Sequence, residues 1–191
     1  MRANFNMQYA VFAKISSETA GAAPTYAAGK ALGKAMEASV KPNFMTGDLW
    51  GDGARSEQIK VFDNAEVTIN ANSLPGDVAA DMFGSTYTAS GDSVNESLSE
   101  KDTDDSNYGG FGFVSASQNS GTKSFAMVWI PKIMFERPEE KFKQIDGSIT
   151  FNTPSVTGKA VADNTGEWCY REYYATAALA IAGLKTKAGI S

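Results

Sequence analysis

"GGFGFVSASQNSGTKSFAMVWIPKIMF", Gly109 to Phe135, decides the fold. Gly110 to Gln118 alternates with a period of two, as a strand does. "NSGT" then reads as a four-residue hairpin loop containing Gly. Ser124 to Phe135 is the return strand. Its alternation groups Phe125, Met127, Trp129, Ile133 and Phe135 on one face, while Ala126, Val128 and Ile130 make the other face apolar too. A strand apolar on both faces is covered on both sides. Phe111, Phe113 and Trp129 are therefore assigned as sheet-packing anchors. Gly110 and Gly112 leave room for something large on the opposite side, expected to be a neighbouring backbone of this chain or another.

The middle of this stretch also matches an RNA-binding signature, K/R-G-F/Y-G/A-F-V-x-F/Y, whose aromatics stack on bases. The flanks exclude it. Gly109 stands where a basic residue belongs, Ala116 where an aromatic belongs, and a hairpin follows where a helix is needed. The formal net charge is −5 with 17 basic residues, scattered rather than clustered. That balance disfavours a phosphate backbone, whose binding depends on counterion release by Lys and Arg.

Further out, the same period recurs. Tyr9, Val11, Ala13 and Ile15 mark a first strand; "SETAGAAPTYAAGKALG" reads as a small-residue loop; Met36, Ala38 and Val40 form one face of a second strand, which Pro42 ends or confines to an edge. "TGDLWGDG" reads as a turn cluster around Trp50. Ile59 to Ala71 alternates over thirteen residues, roughly 43 Å at about 3.3 Å each. Asp63 interrupts its apolar face, so a bulge is expected at Asp63–Asn64. "SLPGDVAADMFG" reads as a short helix with Ser73 as N-cap, Pro75 and Asp77 in the first turn, and Gly84 as its stop. Ser85 to Asn107 is polar and loop-like. Ile149, Phe151 and Thr153 alternate, "VTGKAVA" continues extended, and "DNTGEW" turns the chain. A final helix carries Tyr174, Ala177, Ile181 and Leu184 at helical spacing, Lys185 and Lys187 near its C-terminus, and Gly189 as cap. The sum is a mainly β chain of about eight strands with two peripheral helices, a sandwich or barrel in one domain, 1–191.

Motifs for chemistry are weak. The chain has no histidine, which removes the usual general base and the commonest metal ligand. Its one cysteine, Cys169, lies between Trp168 and Tyr170 and reads as a packing residue. "DTDDSNYGGFGF" fails as a calcium loop, because Ser115 or Phe113 stands where the bidentate Glu belongs. Glu139–Glu140 and Asp104–Asp105 are paired carboxylates without the spacing of a shared cleft. The residues name no cofactor and no metal. No stretch has the length of a membrane span, and the N-terminus lacks a signal peptide's apolar core and cleavage site, so synthesis in the cytosol is expected.

The stretch from Tyr108 to Asp163 resembles the major tail (tail tube) proteins of long, non-contractile-tailed bacteriophages. "YGGFGFVSA", the hairpin into "FAMVWIPKIMF", the Pro138-Glu139-Glu140 turn, "GSITFNTPSVTGKA" and the late "DNTGEW" turn carry it in that order. The resemblance implies a virion protein that forms hexameric rings stacked into a hollow tube. The partners it implies are other copies of the chain, a tape measure protein, a tail terminator and distal tail proteins. DNA is passing cargo, and no membrane is involved. Assembly loops are expected near 16–32, 47–57 and 85–107. Glu37, Glu66, Thr68 and Asn70 are candidates for an exposed or lumen-facing surface. Glu100, Asp102, Asp104 and Asp105 are candidates for an inter-ring or outer loop. A monomeric binding module that recognises carbohydrate through exposed aromatics is the competing reading, and an enzyme using the paired carboxylates is a third.

Overall fold

A computed structural model describes residues 3–51, 54–90, 95–119, 121–140 and 153–190. The described residues form β1 (Ala3–Ser17), β2 (Thr25–Tyr26), β3 (Lys30–Leu32), β4 (Ala35–Gly51), β5 (Ala54–Ala71), α1 (Gly76–Phe83), β6 (Thr86–Thr88), β7 (Ser97–Ser99), β8 (Tyr108–Asn119), β9 (Thr122–Phe135), β10 (Ser155–Ala160), β11 (Tyr170–Tyr174) and α2 (Ala177–Lys187). The architecture is mainly β and antiparallel, with two helices. Nine strands make one sheet in the order β2-β1-β8-β9-β10-β5-β4, with β11 beside β9 and β3 beside β1; β6 and β7 pair separately.

The sheet curls, so that β1 and β4 from its two ends touch. Its inner face holds the larger core: Phe12, Val67, Ile69, Phe111, Ile130 and Phe135 are buried there. Phe111 and Phe12 both set their rings edge-on to Phe135, at 5.5 and 6.0 Å, a favourable arrangement for aromatic quadrupoles. Helix α1 adds Val78, Ala79, Met82 and Phe83 to this core. A second core lies on the outer face, where α2 covers Val11, Val114, Met127 and Trp129 with Ala180, Leu184 and Ala188. The two-sided burial of β8 and β9 follows.

Bulges produce the curl. β1 slips against β8 at Asn6 and at Tyr9, and these residues have φ of 53° and 35°. Each inserts one extra residue and increases the local twist. β9 slips against β8 beside Pro131: Gly109 faces Ile133, but Phe111 faces Ile130. This reverses the alternation, so Ile133 and Phe135 join Val128 and Ile130 on the inner face instead of Met127 and Trp129. Proline has no N–H for the ladder, which suits it to such a bulge.

Other elements differ from expectation. There are eleven strands among the described residues, because the small-residue loop contains β2 and β3 and the polar region contains β6 and β7. For Pro42 the edge expectation holds: it lies within β4, which runs along the sheet edge, where a missing N–H is harmless. β8 and β9 pair as far as Asn119 and Thr122, taking two of the four expected loop residues. Pro75, not Ser73, is the N-cap of α1, with no side-chain cap bond; Gly84 ends the helix in the left-handed region as expected. Tyr174 closes β11, and α2 starts after Thr176, whose hydroxyl accepts from the Leu179 N–H. Past α2, Gly189 takes φ of 66°, while the N–H groups of Gly189 and Ile190 bond to the Thr186 and Lys185 carbonyls. That is the double bond of a left-handed helix stop. The expected strand residues Ile149 and Phe151 lie outside the described residues.

Candidate functional site

Strands β4 and β5 pair from Ala35–Ala71 to Gly51–Ala54, but β10 covers β5 only over residues 65–70. Beyond that point the two strands leave the sheet as a hairpin. The stretch from Phe44 to Gly51 is eight residues, roughly 26 Å of strand at about 3.3 Å per residue. Its root is aromatic: Phe44 meets Phe62 edge-on, and Phe62 stacks on Trp168 at 4.8 Å and 16°. Asp63 has no partner in the β4 register, because Asn43 faces Asn64 and Phe44 faces Phe62. The expected bulge is there, and it turns Val61 and Ile59 to the outside.

The outer face of the hairpin is apolar. Met45 faces Val61, Gly47 faces Ile59 and Leu49 faces Glu57. Met45, Leu49, Ile59 and Val61 are 58%, 62%, 58% and 54% exposed, and Trp50 near the tip is 66% exposed. A two-stranded hairpin is marginal in water without cover, and a cluster of exposed apolar side chains marks an interaction surface. Sequence reading missed this element. Where "TGDLWGDG" reads as a turn and 47–57 as a loop, β4 runs to Gly51 and β5 starts at Ala54; Met45-x-x-x-Leu49 and Ile59-x-Val61 flanking Gly-Asp-Gly are the hairpin signal.

Below the hairpin the same outer surface is polar. Three rows cross β10, β5 and β4: Ser155–Asn70–Glu37, Thr157–Thr68–Ser39 and Lys159–Glu66–Lys41. Asn70 donates to Glu37 at 3.3 Å, the Thr68 and Thr157 hydroxyls lie 3.3 Å apart, and Asn43 donates to Asn64 at 2.9 Å. The structure thus brings Glu37, Glu66, Thr68 and Asn70 together on one face. Lys41 and Lys159 flank Glu66, so this face is mixed in charge rather than acidic.

Elsewhere the acidic segment is fastened to its own chain. Arg137 pairs with Glu100 at 3.1 Å and reaches Asp104 at 3.9 Å, while donating to the Phe83 carbonyl and Ser85 hydroxyl. Asp104 also accepts from the Lys101 N–H. Asp102 and Asp105 are exposed. Phe111, Phe113 and Trp129 are buried. The open sides of Gly110 and Gly112 are filled by the Trp129 ring, with Tyr26 beside it and Leu184 of α2, so side chains of the same chain occupy the space.

Among the described residues, two cavities adjoin these elements. One of about 740 Å³ opens between β1 and β4, lined by Phe5, Met7, Val40, Phe113 and Val128, with Glu37 and Arg171 also present. The other, of about 660 Å³, lies between α1 and the 137–140 segment and includes Glu100, Arg137, Glu139 and Glu140. Among the described residues no group of three or more acidic or sulfur ligands is placed to hold a metal ion. Burial pushes the Cys169 thiol up; Arg171 opposes this and Glu167 adds to it. Asp163 shapes the "DNTGEW" turn: its Oδ1 accepts from the Thr165 N–H, the Thr165 hydroxyl and the Glu167 N–H at 2.8, 2.6 and 3.0 Å. Burial pushes its carboxyl up, yet these bonds outweigh it and hold the group below the usual carboxylate range.

No known family model matches this chain, and no curated protein does.

Proposed function

We propose that this chain is a self-assembling tube subunit, a structural protein of a long phage tail that forms stacked hexameric rings. The projecting hairpin, with its uncovered apolar outer face, is the observation that carries the reading. A monomer gains nothing from holding Met45, Leu49, Ile59 and Val61 in water. A neighbouring copy that covers them recovers roughly 1 kcal/mol for each half-exposed apolar side chain. Association costs about 4–15 kcal/mol, so a single hairpin holds two copies weakly. Several hairpins engaged at once hold a ring or stack firmly. The resemblance of Tyr108–Asp163 to tail tube proteins supplies the ring and the tube. The polar rows centred on Glu66, Thr68 and Asn70 suit a channel wall, since mixed charge and hydroxyls offer DNA no clustered cations.

Sedimentation velocity tests this. The wild-type protein is expected to form large species as concentration rises. Ile59→Asp/Val61→Asp is expected to remain monomeric with an unchanged melting temperature, because both side chains are exposed. A variant that assembles like the wild type would remove the hairpin from the account.

A further inference from the structure

The large exposed hydrophobic side chains of the described residues concentrate in two places. Six lie on the hairpin, including Phe44, Met45, Ile59 and Val61. Phe5, Met36 and Tyr173 lie at the cavity between β1 and β4. The first surface projects and the second is concave. We propose that the outer apolar face of one copy's hairpin seats in the β1–β4 mouth of a second copy. This rests on the self-assembly reading and names both halves of the contact.

Strand parity requires the second copy. Along β4, Ala38 and Val40 face inward to the core, opposite the buried Ile69 and Val67. Met45 and Leu49 share the other parity with Glu37, Ser39 and Lys41. The hairpin's apolar face is therefore turned away from its own mouth. The four half-exposed side chains of that face, Met45, Leu49, Ile59 and Val61, present roughly 400 Å², about half of the ~800 Å² per partner of a standard interface, so several such contacts must act together. The mouth holds about 740 Å³, room for several aliphatic side chains. Its inner wall of Met7, Val40, Phe113 and Val128 is apolar. The mouth carries one charge of each sign, Arg171 and Glu37, and Arg171 is the group that Glu57, beside Leu49 on the hairpin face, would meet.

The mouth is also ready for a strand. Among the described residues β1 has no strand partner over residues 3–9 on the side away from β8, since β3 and β2 begin at Ala10 and Ile15. β4 pairs only with β5 among the described residues. Among the described residues, both strands bordering the mouth thus present an edge on which an incoming strand can pair. Donor and acceptor are different surfaces, so the contact is heterologous. It propagates into rings or filaments according to the rotation it imposes.

Cysteine cross-linking tests the contact in a Cys169→Ser background. Val61→Cys protein mixed with Met36→Cys protein is expected to give a disulfide-linked heterodimer under mild oxidation. Val61→Cys mixed with Ser39→Cys, on the polar face, is the control. No heterodimer above that control overturns the proposal. The second arm is assembly of Phe5→Glu/Met36→Glu, both exposed positions, with melting as the folding check. Loss of assembly with unchanged melting is expected. Wild-type tubes accompanied by equally good tubes of this variant would remove the socket alone. A wild type that stays monomeric would remove the tube reading and the socket together.

Discussion

Gly112→Ala tests the way the two cores share β8. A Cβ at residue 112 would press into Leu184 of α2 and lie 2.7 Å from the Trp129 ring and 2.8 Å from the Val128 carbonyl. The backbone carbonyl cannot move without disturbing the β8–β9 ladder. Overpacking of this kind costs about 1–3 kcal/mol. Removing a glycine recovers about 0.4–1 kcal/mol by restricting the unfolded chain. The net expectation is a loss of about 1–2 kcal/mol, or a melting temperature lower by about 2–8 °C for a chain of this size. Leu184→Ala alone should cost about 2–5 kcal/mol as a core truncation. Combined with Gly112→Ala, it opens the space that the new methyl group needs, so the double variant should be less destabilised than the two single losses added together. Thermal melts followed by circular dichroism read all four proteins. Gly112→Ala at wild-type stability would refute the close approach of α2 and Trp129, and strict additivity would refute the shared space.

Three further outcomes follow from particular contacts. Arg137→Ala should lower stability by about 1–2 kcal/mol through lost ionic and carbonyl bonds, and limited proteolysis should then cut more readily within residues 96–106. Asp163 is held below its unfolded pKa, so its stabilisation is complete above about pH 5 and is lost as pH falls through the unfolded value towards the folded one. The wild-type melting temperature should therefore drop between about pH 5 and pH 2 more steeply than that of Asp163→Asn; parallel profiles would count against the turn. The Cys169 thiol, raised by burial, should react with a disulfide reagent at pH 8 more slowly in the native protein than in denaturant, and equal rates would contradict its packing.

The regular parts of the chain were legible because local period and burial agree in them. Residues 65–71, Gly110–Gln118 and the Phe125–Trp129 stretch alternate as written, and Gly84 and Gly189 stop the helices where expected. Errors came where one extra residue resets the alternation. Pro131 sits at such a point, and nothing in its neighbours reveals that Ile133 and Phe135 change sides. Register against β8 does, and that is a long-range property. Asp63 was legible because a charge on an apolar face is visible locally. The candidate surface was legible in part. Glu37, Glu66, Thr68 and Asn70 show by parity alone that they share a face with polar neighbours. The hairpin was hidden by Gly47, Gly51 and Gly53, which look like loop residues. Its outward apolar face also makes sense only when a partner is considered, because burial within the monomer does not explain Leu49 or Ile59. Gly110 and Gly112 announced a close approach, but Trp129 lies on the neighbouring strand and Leu184 more than seventy residues away, so the occupant needed the fold.

Negative-stain electron microscopy of the purified protein at high concentration tests the central claim most directly. The account predicts stacked rings or hollow rods in the wild type and their absence in Ile59→Asp/Val61→Asp. Wild-type fields that contain only monomers across salt, pH and concentration would contradict it.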